Sequence, residues 1–135
     1  MNSGIVSLGD FSITSAATVI GDWVDGLEGM RSASVQVRLA YGSGGGAAKV
    51  YLQTSLDQGL TIIDVASFTF GAAGSIKVRN LFGDVSVPTD VVPTDGGLAD
   101  DTTIAGILGD RLRLKIVSTG SYSSSTLISG RACVR

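Results

Sequence analysis

Between Lys49 and Phe70 the sequence KVYLQTSLDQGLTIIDVASFTF alternates, turns and alternates again, a pattern of period two that no amphipathic helix carries. Val50, Leu52 and Thr54 alternate with Lys49, Tyr51 and Gln53. Turn residues Ser55 to Gly59 intervene, and Ile63, Val65, Phe68 and Phe70 resume the apolar positions. The spacing predicts two antiparallel strands joined by a tight turn, against which the remaining chain is laid as further strands. From Ser34 to Tyr41, Val35, Val37, Leu39 and Tyr41 share one face and Gln36 and Arg38 the other. From Asp110 to Ile116, Leu112, Leu114 and Ile116 oppose a wholly basic face of Arg111, Arg113 and Lys115. Ile76 and Val78 alternate with Lys77 and Arg79, and Thr126 to Val134 closes the series with Leu127, Ile128, Ala132 and Val134. Composition agrees: the chain holds 19 glycines, and of its 12 acidic residues only Glu28 is a glutamate, so helix formers are scarce.

About eight to ten short strands separated by Gly, Pro and Asp turns predict an all-β chain, an antiparallel β-sandwich of jelly-roll-like type. An immunoglobulin-like sandwich is the alternative, although its Cys and Trp framework is missing. A length of 135 residues supports one core, so residues 1–135 are expected as a single β-sandwich domain. Within it, residues 1–14 read as an edge strand or an N-terminal arm. The tract Gly42 to Gly46 reads as a flexible hairpin loop, which makes strands 34–41 and 48–54 an expected antiparallel pair. It leads into a strand rather than a helix, which argues against a phosphate cradle. A short strand is expected at Val85 to Val87, and a single helical turn from Ile104 to Leu108, capped by Thr102 or Thr103 and ended by Gly109. Trp23, the single tryptophan, is expected to anchor the core.

The chain has no histidine and one cysteine, Cys133, so it can build neither an internal disulfide, a zinc site nor a nucleophile–base pair of the usual kinds. No enzyme is expected, and no cofactor. The acidic loop TDGGLADD, with Asp95, Asp100, Asp101 and nearby Asp90, offers oxygen ligands for calcium, but the D-x-D-x-D-G spacing of a preorganised loop is missing. Ten basic and 12 acidic residues give a net charge of −2, which makes no case for nucleic acid or an anionic membrane. The basic stripe of residues 111–115 lacks aromatics for stacking and is expected to pair with acidic neighbours. The N-terminal stretch lacks the charged start and apolar run of a signal peptide, and no apolar run approaches the length of a membrane span. The expectation is a protein used in the cytosol or carried out inside something assembled there.

Ser55-Leu56-Asp57-Gln58-Gly59-Leu60-Thr61-Ile62 matches S-x-D-x-G-x-T-(W, F or I), the Asp box. In the proteins it resembles, this motif is a structural hairpin turn. The chemistry follows from the residues: the Asp57 carboxylate accepts from backbone N–H groups, Gly59 supplies a positive φ, and Ser55 and Thr61 add hydroxyl bonds. A single copy without repetition at blade spacing argues against a propeller. The stretches Tyr51 to Phe68, Thr94 to Asp100 and Leu108 to Gly120 together resemble small structural proteins of tailed bacteriophages and prophages. The resemblance implies a non-enzymatic virion component, most simply a capsid decoration or cement protein on the outer shell. It leaves open a head–tail or tail component and a carbohydrate-binding attachment module. It implies localisation in the virion after assembly in the host cytoplasm, the major capsid protein or other virion proteins as partners, and a homo-oligomer, with a trimer favoured by the threefold positions of a shell. Apolar residues outside the clearest strands, Ile5, Val6, Leu8, Val91, Val92, Ile104, Ile107 and Leu108, are the expected assembly contacts.

Overall fold

A computed structural model describes residues 2–123 and 125–135. The strands are β1 (Gly4–Ser12), β2 (Ala17–Ile20), β3 (Ser32–Ala40), β4 (Ser43–Thr54), β5 (Ile63–Phe70), β6 (Ser75–Phe82), β7 (Leu112–Ser123) and β8 (Leu127–Val134), and no helix occurs among the described residues. The hairpin read from the alternation is β4–β5, and it is the tip of a ribbon. Around it β3 pairs with β6, β2 with β7 and β1 with β8, all antiparallel. The ribbon is rolled so that β8 also pairs with β3, and β7 with β4. Two antiparallel four-stranded sheets result, ordered β1-β8-β3-β6 and β2-β7-β4-β5, an arrangement consistent with a β-sandwich.

The alternation decides what lies between the sheets. Val35, Val37 and Leu39 of β3 and Ile128, Ala132 and Val134 of β8 meet Leu112, Leu114 and Ile116 of β7 and Val50, Leu52, Phe68 and Phe70 of the hairpin, all buried. At Gly130, in the middle of β8, an added Cβ would collide with the Leu114 side chain from the opposite sheet. Glycine there lets the two layers approach closely. In β5 the register steps from Leu52↔Ala66 to Gln53↔Asp64, so Val65 is the extra residue of a bulge. That bulge explains the three-residue interval between Val65 and Phe68, where strict alternation would place an apolar residue two positions on.

Several expectations are overturned. Strands 34–41 and 48–54 lie in different sheets, and the glycine tract is part of β4, with Gly44, Gly45 and Gly46 opposite Tyr122, Ser121 and Gly120. A Cβ at Gly44 or Gly46 would run into the carbonyl oxygens of Ser121 and Thr119, so these glycines permit a close ribbon instead of a flexible loop. Val85 to Val87 and Ile104 to Leu108 form neither strand nor helical turn. Their backbone serves elsewhere: Ile104 N–H donates to the Val65 carbonyl (2.8 Å) and Gly106 N–H to that of Phe82 (2.8 Å). Of the two readings of residues 1–14, the edge strand is found. Gly4 to Ser12 pair with Val134 to Leu127, and Leu8, offered above as an assembly contact, is 2% exposed in the core. Finally, β6 faces opposite to its apolar pattern. Arg79 stands opposite Val35 and Lys77 opposite Val37, on the inner side, while Ile76 and Val78 point outward and are exposed.

Candidate assembly surface

The turn joining β4 to β5 is built on Ser55, which is fully buried. Its hydroxyl accepts from Gly59 N–H (2.9 Å) and donates to Asp57 Oδ1 (2.9 Å), while the same carboxylate oxygen accepts from Thr61 N–H (2.7 Å). Gly59 has φ +92° and Gln58 +63°, so two successive left-handed residues tighten the turn. Bonds from the Thr61 hydroxyl and N–H hold the Asp57 carboxyl below its usual value, outweighing an upward effect of burial that the Ser55 bond also opposes. Asp57 itself is exposed, so Ser55 is the better anchored half of the staple. Ser55→Ala should lower stability by about 1–3 kcal/mol, because two buried or partly buried backbone donors lose their acceptor. Asp57→Ala should lower the urea midpoint by less, and equal midpoints for both variants would contradict this ranking.

The segment from Thr94 to Ile104 straps the free edge of β5. Asp64 N–H donates to Thr94 O (3.1 Å), Ser67 N–H to Thr102 O (2.9 Å), and Ala66 bridges Thr103. Asp64 fixes the strap's entry. Its Oδ2 accepts from Gly96 N–H (2.7 Å), Gly97 N–H (2.9 Å) and the Thr94 hydroxyl (2.8 Å), and its Oδ1 from Gln53 Nε2 (2.8 Å). Gln53 in turn accepts from Arg113 Nε (2.8 Å) and donates to Asp95 Oδ1 (2.8 Å), which Lys115 also reaches (3.1 Å). For Asp95 burial acts upward, but the bonds from Gln53 and Lys115 and the charges of Lys115 and Arg113 outweigh it and lower its pKa. Arg113 and Lys115 of β7 therefore help to hold the strap, while Arg111, just before β7, pairs with the adjacent Asp110 (2.9 Å).

Lys77 and Arg79, turned inward from β6, close the seam between the sheets. Lys77 lies 5.3 Å from the Phe70 ring centre and Arg79 4.4 Å from that of Phe68. Arg79 donates to the Ser67 carbonyl and to Thr102 O (3.2 Å), and both cations reach Asp101 Oδ1, at 3.3 and 3.1 Å. The Thr69 hydroxyl gives Asp101 its strongest bond (2.6 Å). With the Thr69 N–H and Lys77 it overcomes the upward effect of burial and lowers the Asp101 pKa from 3.8 to about 2. A carboxyl depressed in the folded state contributes stability above its unfolded pKa and loses it as pH falls through the folded one. The melting temperature should therefore drop between pH 3.8 and about 2. Asp101→Asn, which suits the left-handed φ of +52° at this position, should flatten that drop. An unchanged pH profile in the variant would remove Asp101 from the seam.

Three of the four acidic residues weighed as calcium ligands are thus drawn to different cations: Asp95 to Lys115, Asp100 to Lys49 (2.9 Å) and Asp101 to Lys77 and Arg79. Among the described residues no group of three or more acidic, His or Cys side chains converges on one point. Trp23 is not in the core. It is half-buried beneath Arg113 (4.4 Å to the ring) and Arg111 (5.9 Å), beside Gly59 of the turn. Tyr51 and Tyr122 are buried, and Tyr41 meets Tyr122 edge to face at 6.5 Å.

Of the residues offered as assembly contacts, Ile5 (76%) and Val92 (78%) are largely exposed. Val6, Ile107 and Leu108 pack against the core, and Val91 and Ile104 are half-buried. Alternation alone hides others that are exposed: Ile76 and Val78 of β6, Phe82 at its end, and Leu56 and Leu60 at the turn tip. Ile5, Val78 and Ile76 lie on the outer face of the β1-β8-β3-β6 sheet, among residues that include Ser34, Gln36, Arg38, Asn80, Ser129 and Arg131. On the other sheet the strap and Trp23 cover β5 and the neighbouring parts of β4 and β7, and Ile20 of β2 stays exposed; this one has no such cover. No helix among the described residues is long and apolar enough to cross a membrane. Compared with known protein families, with curated proteins and with solved structures, the chain matches none.

Proposed function

We propose that this chain is a non-enzymatic structural component of a bacteriophage virion, a capsid decoration or cement protein that binds the outside of the shell through its bare sheet face. The observation that carries the reading is the contrast between the two sheets: the strap and Trp23 cover the outer side of β5 and the neighbouring parts of β4 and β7, while the other sheet presents Ile5, Ile76 and Val78 on an open face of mainly polar and charged residues. Apolar side chains left outside a core of this size are the expected mark of a surface buried on assembly. The nested pairing of strands about the β4–β5 tip supports a jelly roll over an immunoglobulin-like sandwich. Jelly rolls serve as viral capsid domains, lectins and cupins, an analogy of fold alone. A sequence without histidine disfavours cupin metal chemistry, and aromatics spent on Arg113 and on internal packing disfavour a sugar platform.

Mass spectrometry of purified particles tests the proposal directly. Copy numbers comparable to the major capsid protein support decoration, whereas a few copies per particle reassign the chain to the neck or tail. Ile5→Asp should reduce shell occupancy with an unchanged melting temperature. Deleting residues 1–9 is not an equivalent test, since it removes Leu8 from the core and most of β1 from the sheet. A trimer remains the state that shell analogy favours.

A further inference from the structure

We infer that Asp25-Gly26 is a site of spontaneous backbone modification, where the chain converts to an isoaspartyl linkage, and that the fold protects the other Asp-Gly step, Asp95-Gly96. The chemistry needs only the two residues and water. The Gly26 nitrogen attacks the side-chain carboxyl carbon of Asp25, and the new N–C bond closes a cyclic imide. A C–O bond breaks, and the hydroxyl leaves with the amide proton as water. Water then opens the ring at either carbonyl. One opening restores aspartate; the other leaves the chain running through the former side-chain carbonyl, with the former backbone carbonyl as a free carboxylate. Nothing is oxidised or reduced, and the composition of the product equals that of the starting chain. Glycine favours the attack because it places no side chain beside the nucleophilic nitrogen.

The two steps share a backbone shape, with φ +72° at Gly26 and +87° at Gly96, and differ in what holds them. Asp25 and Gly26 are both exposed, and among the described residues none beyond the chain neighbours comes within 4 Å of where a Gly26 Cβ would stand. Among the same residues the Gly26 N–H donates to no acceptor, and Asp25 joins no hydrogen bond or ion pair. Asp25 acts on Arg111 only through space, and Arg111 is bonded to Asp110. At the second step the Gly96 N–H donates to the buried Asp64 carboxylate (2.7 Å), and Lys115 Nζ lies 3.2 Å from the Cβ position of Gly96. The Asp95 carboxylate is itself held by Gln53 (2.8 Å) and Lys115 (3.1 Å). Burial acts upward on Asp95, yet these bonds keep its carboxyl below the usual pKa, in the ionised form that expels oxygen poorly. Reaction at Gly96 therefore waits for the strap to open.

The position of Asp25-Gly26 carries the change into the sheet. Val24 N–H donates to Leu112 O (2.8 Å) and Leu27 N–H to Asp110 O (2.9 Å), so the two residues span the gap between two anchors at the start of β7. An isoaspartyl linkage adds a methylene to the backbone between those anchors. Leu27 is buried in the core, so the added length is taken up in the exposed corner and at the Leu27 hydrogen bond. This chemistry does not depend on a virion role.

Prolonged incubation of the full chain at neutral pH and body temperature tests this, read by peptide mapping with electron-transfer fragmentation, which distinguishes isoaspartate from aspartate. In the folded chain isoaspartate should accumulate at Asp25 about tenfold or more faster than at Asp95, since Gly96 must first give up a hydrogen bond to a buried charge. In guanidinium the two steps should convert at comparable rates, because the bonds that shield Asp95-Gly96 are gone. Comparable accumulation at both steps in the folded chain overturns the proposal. So does a folded chain that stays unconverted at Asp25 while the denatured chain converts there, and so does a preference for Asp25 that persists undiminished in guanidinium.

Discussion

Asp64→Ala lowers the stability of the folded chain by about 3 kcal/mol or more, since each buried donor left open costs about 1–3 kcal/mol. Asp64 is 1% exposed, and its two oxygens accept from Gln53, Thr94, Gly96 and Gly97. Alanine leaves the Thr94, Gly96 and Gly97 donors without this acceptor and Gln53 with only its bond to Asp95. Asparagine removes the charge and turns an amide N–H₂ toward donors that need an acceptor, so it rescues little. The loss has a specific location: with the entry of the strap released, amide exchange at residues 94–104 should accelerate far more than in β7. The uncovered edge of β5 should then promote self-association on heating. Urea denaturation gives the magnitude and residue-resolved exchange the location. Uniform acceleration across both sheets would mean that Asp64 supports the whole fold and not the strap.

The strands β3, β7 and β8 were legible because one face of each is more deeply buried than the other, the condition under which period-two alternation reports on structure. β5 was partly legible for a different reason. Both of its faces are covered, so nearly every residue is buried and the pattern loses contrast. The bulge at Val65 then shifts the parity of what remains. In β6 the inference from polarity to direction failed outright. An edge strand can point cations inward when the seam offers aromatic faces, backbone carbonyls and a carboxylate to receive them, and Phe68, Phe70, Ser67 and Asp101 do so. None of those partners is near in sequence to Arg79.

The same distance hid the strap. In the sequence Asp64 is one acidic residue in an apolar strand, and Thr94-Asp95-Gly96-Gly97 is part of an acidic, glycine-bearing loop. Each is explained by the other, since consecutive N–H groups at paired glycines form a small anion-binding concavity that a buried carboxylate fills. A usable signal was present in the hairpin itself. Gln53 and Asp64 sit next to one another across the β4–β5 pair, an amide and a carboxylate too buried to lack further partners. Trp23 was misplaced by a prior about residue type: the core has no opening for it, and the guanidinium groups of Arg111 and Arg113 cover its ring on the outer side.

Phe68→Ala should be the most costly single truncation in the protein, at about 3–5 kcal/mol. The side chain is fully buried, stands opposite Val50 in the hairpin, and fills the seam where the two sheets approach their shared margin. Its loss opens a cavity that the bulged strand cannot close, because the strap and the β4 ladder fix β5 from both sides. A second contribution is separable. Arg79 lies 4.4 Å from the ring centre, and removing the ring takes away a cation–aromatic contact expected at about 0.5–2 kcal/mol. A double-mutant cycle of Phe68→Leu with Arg79→Met isolates it: leucine retains most of the apolar fill, and methionine keeps the stem while losing the charge and the bonds to Ser67 and Thr102. A coupling within that range makes the inward cation part of the core's packing. A coupling near zero assigns Arg79 to the carbonyls and to Asp101 alone, and the stability of the seam would then follow the titration of Asp101 and not the ring beneath it.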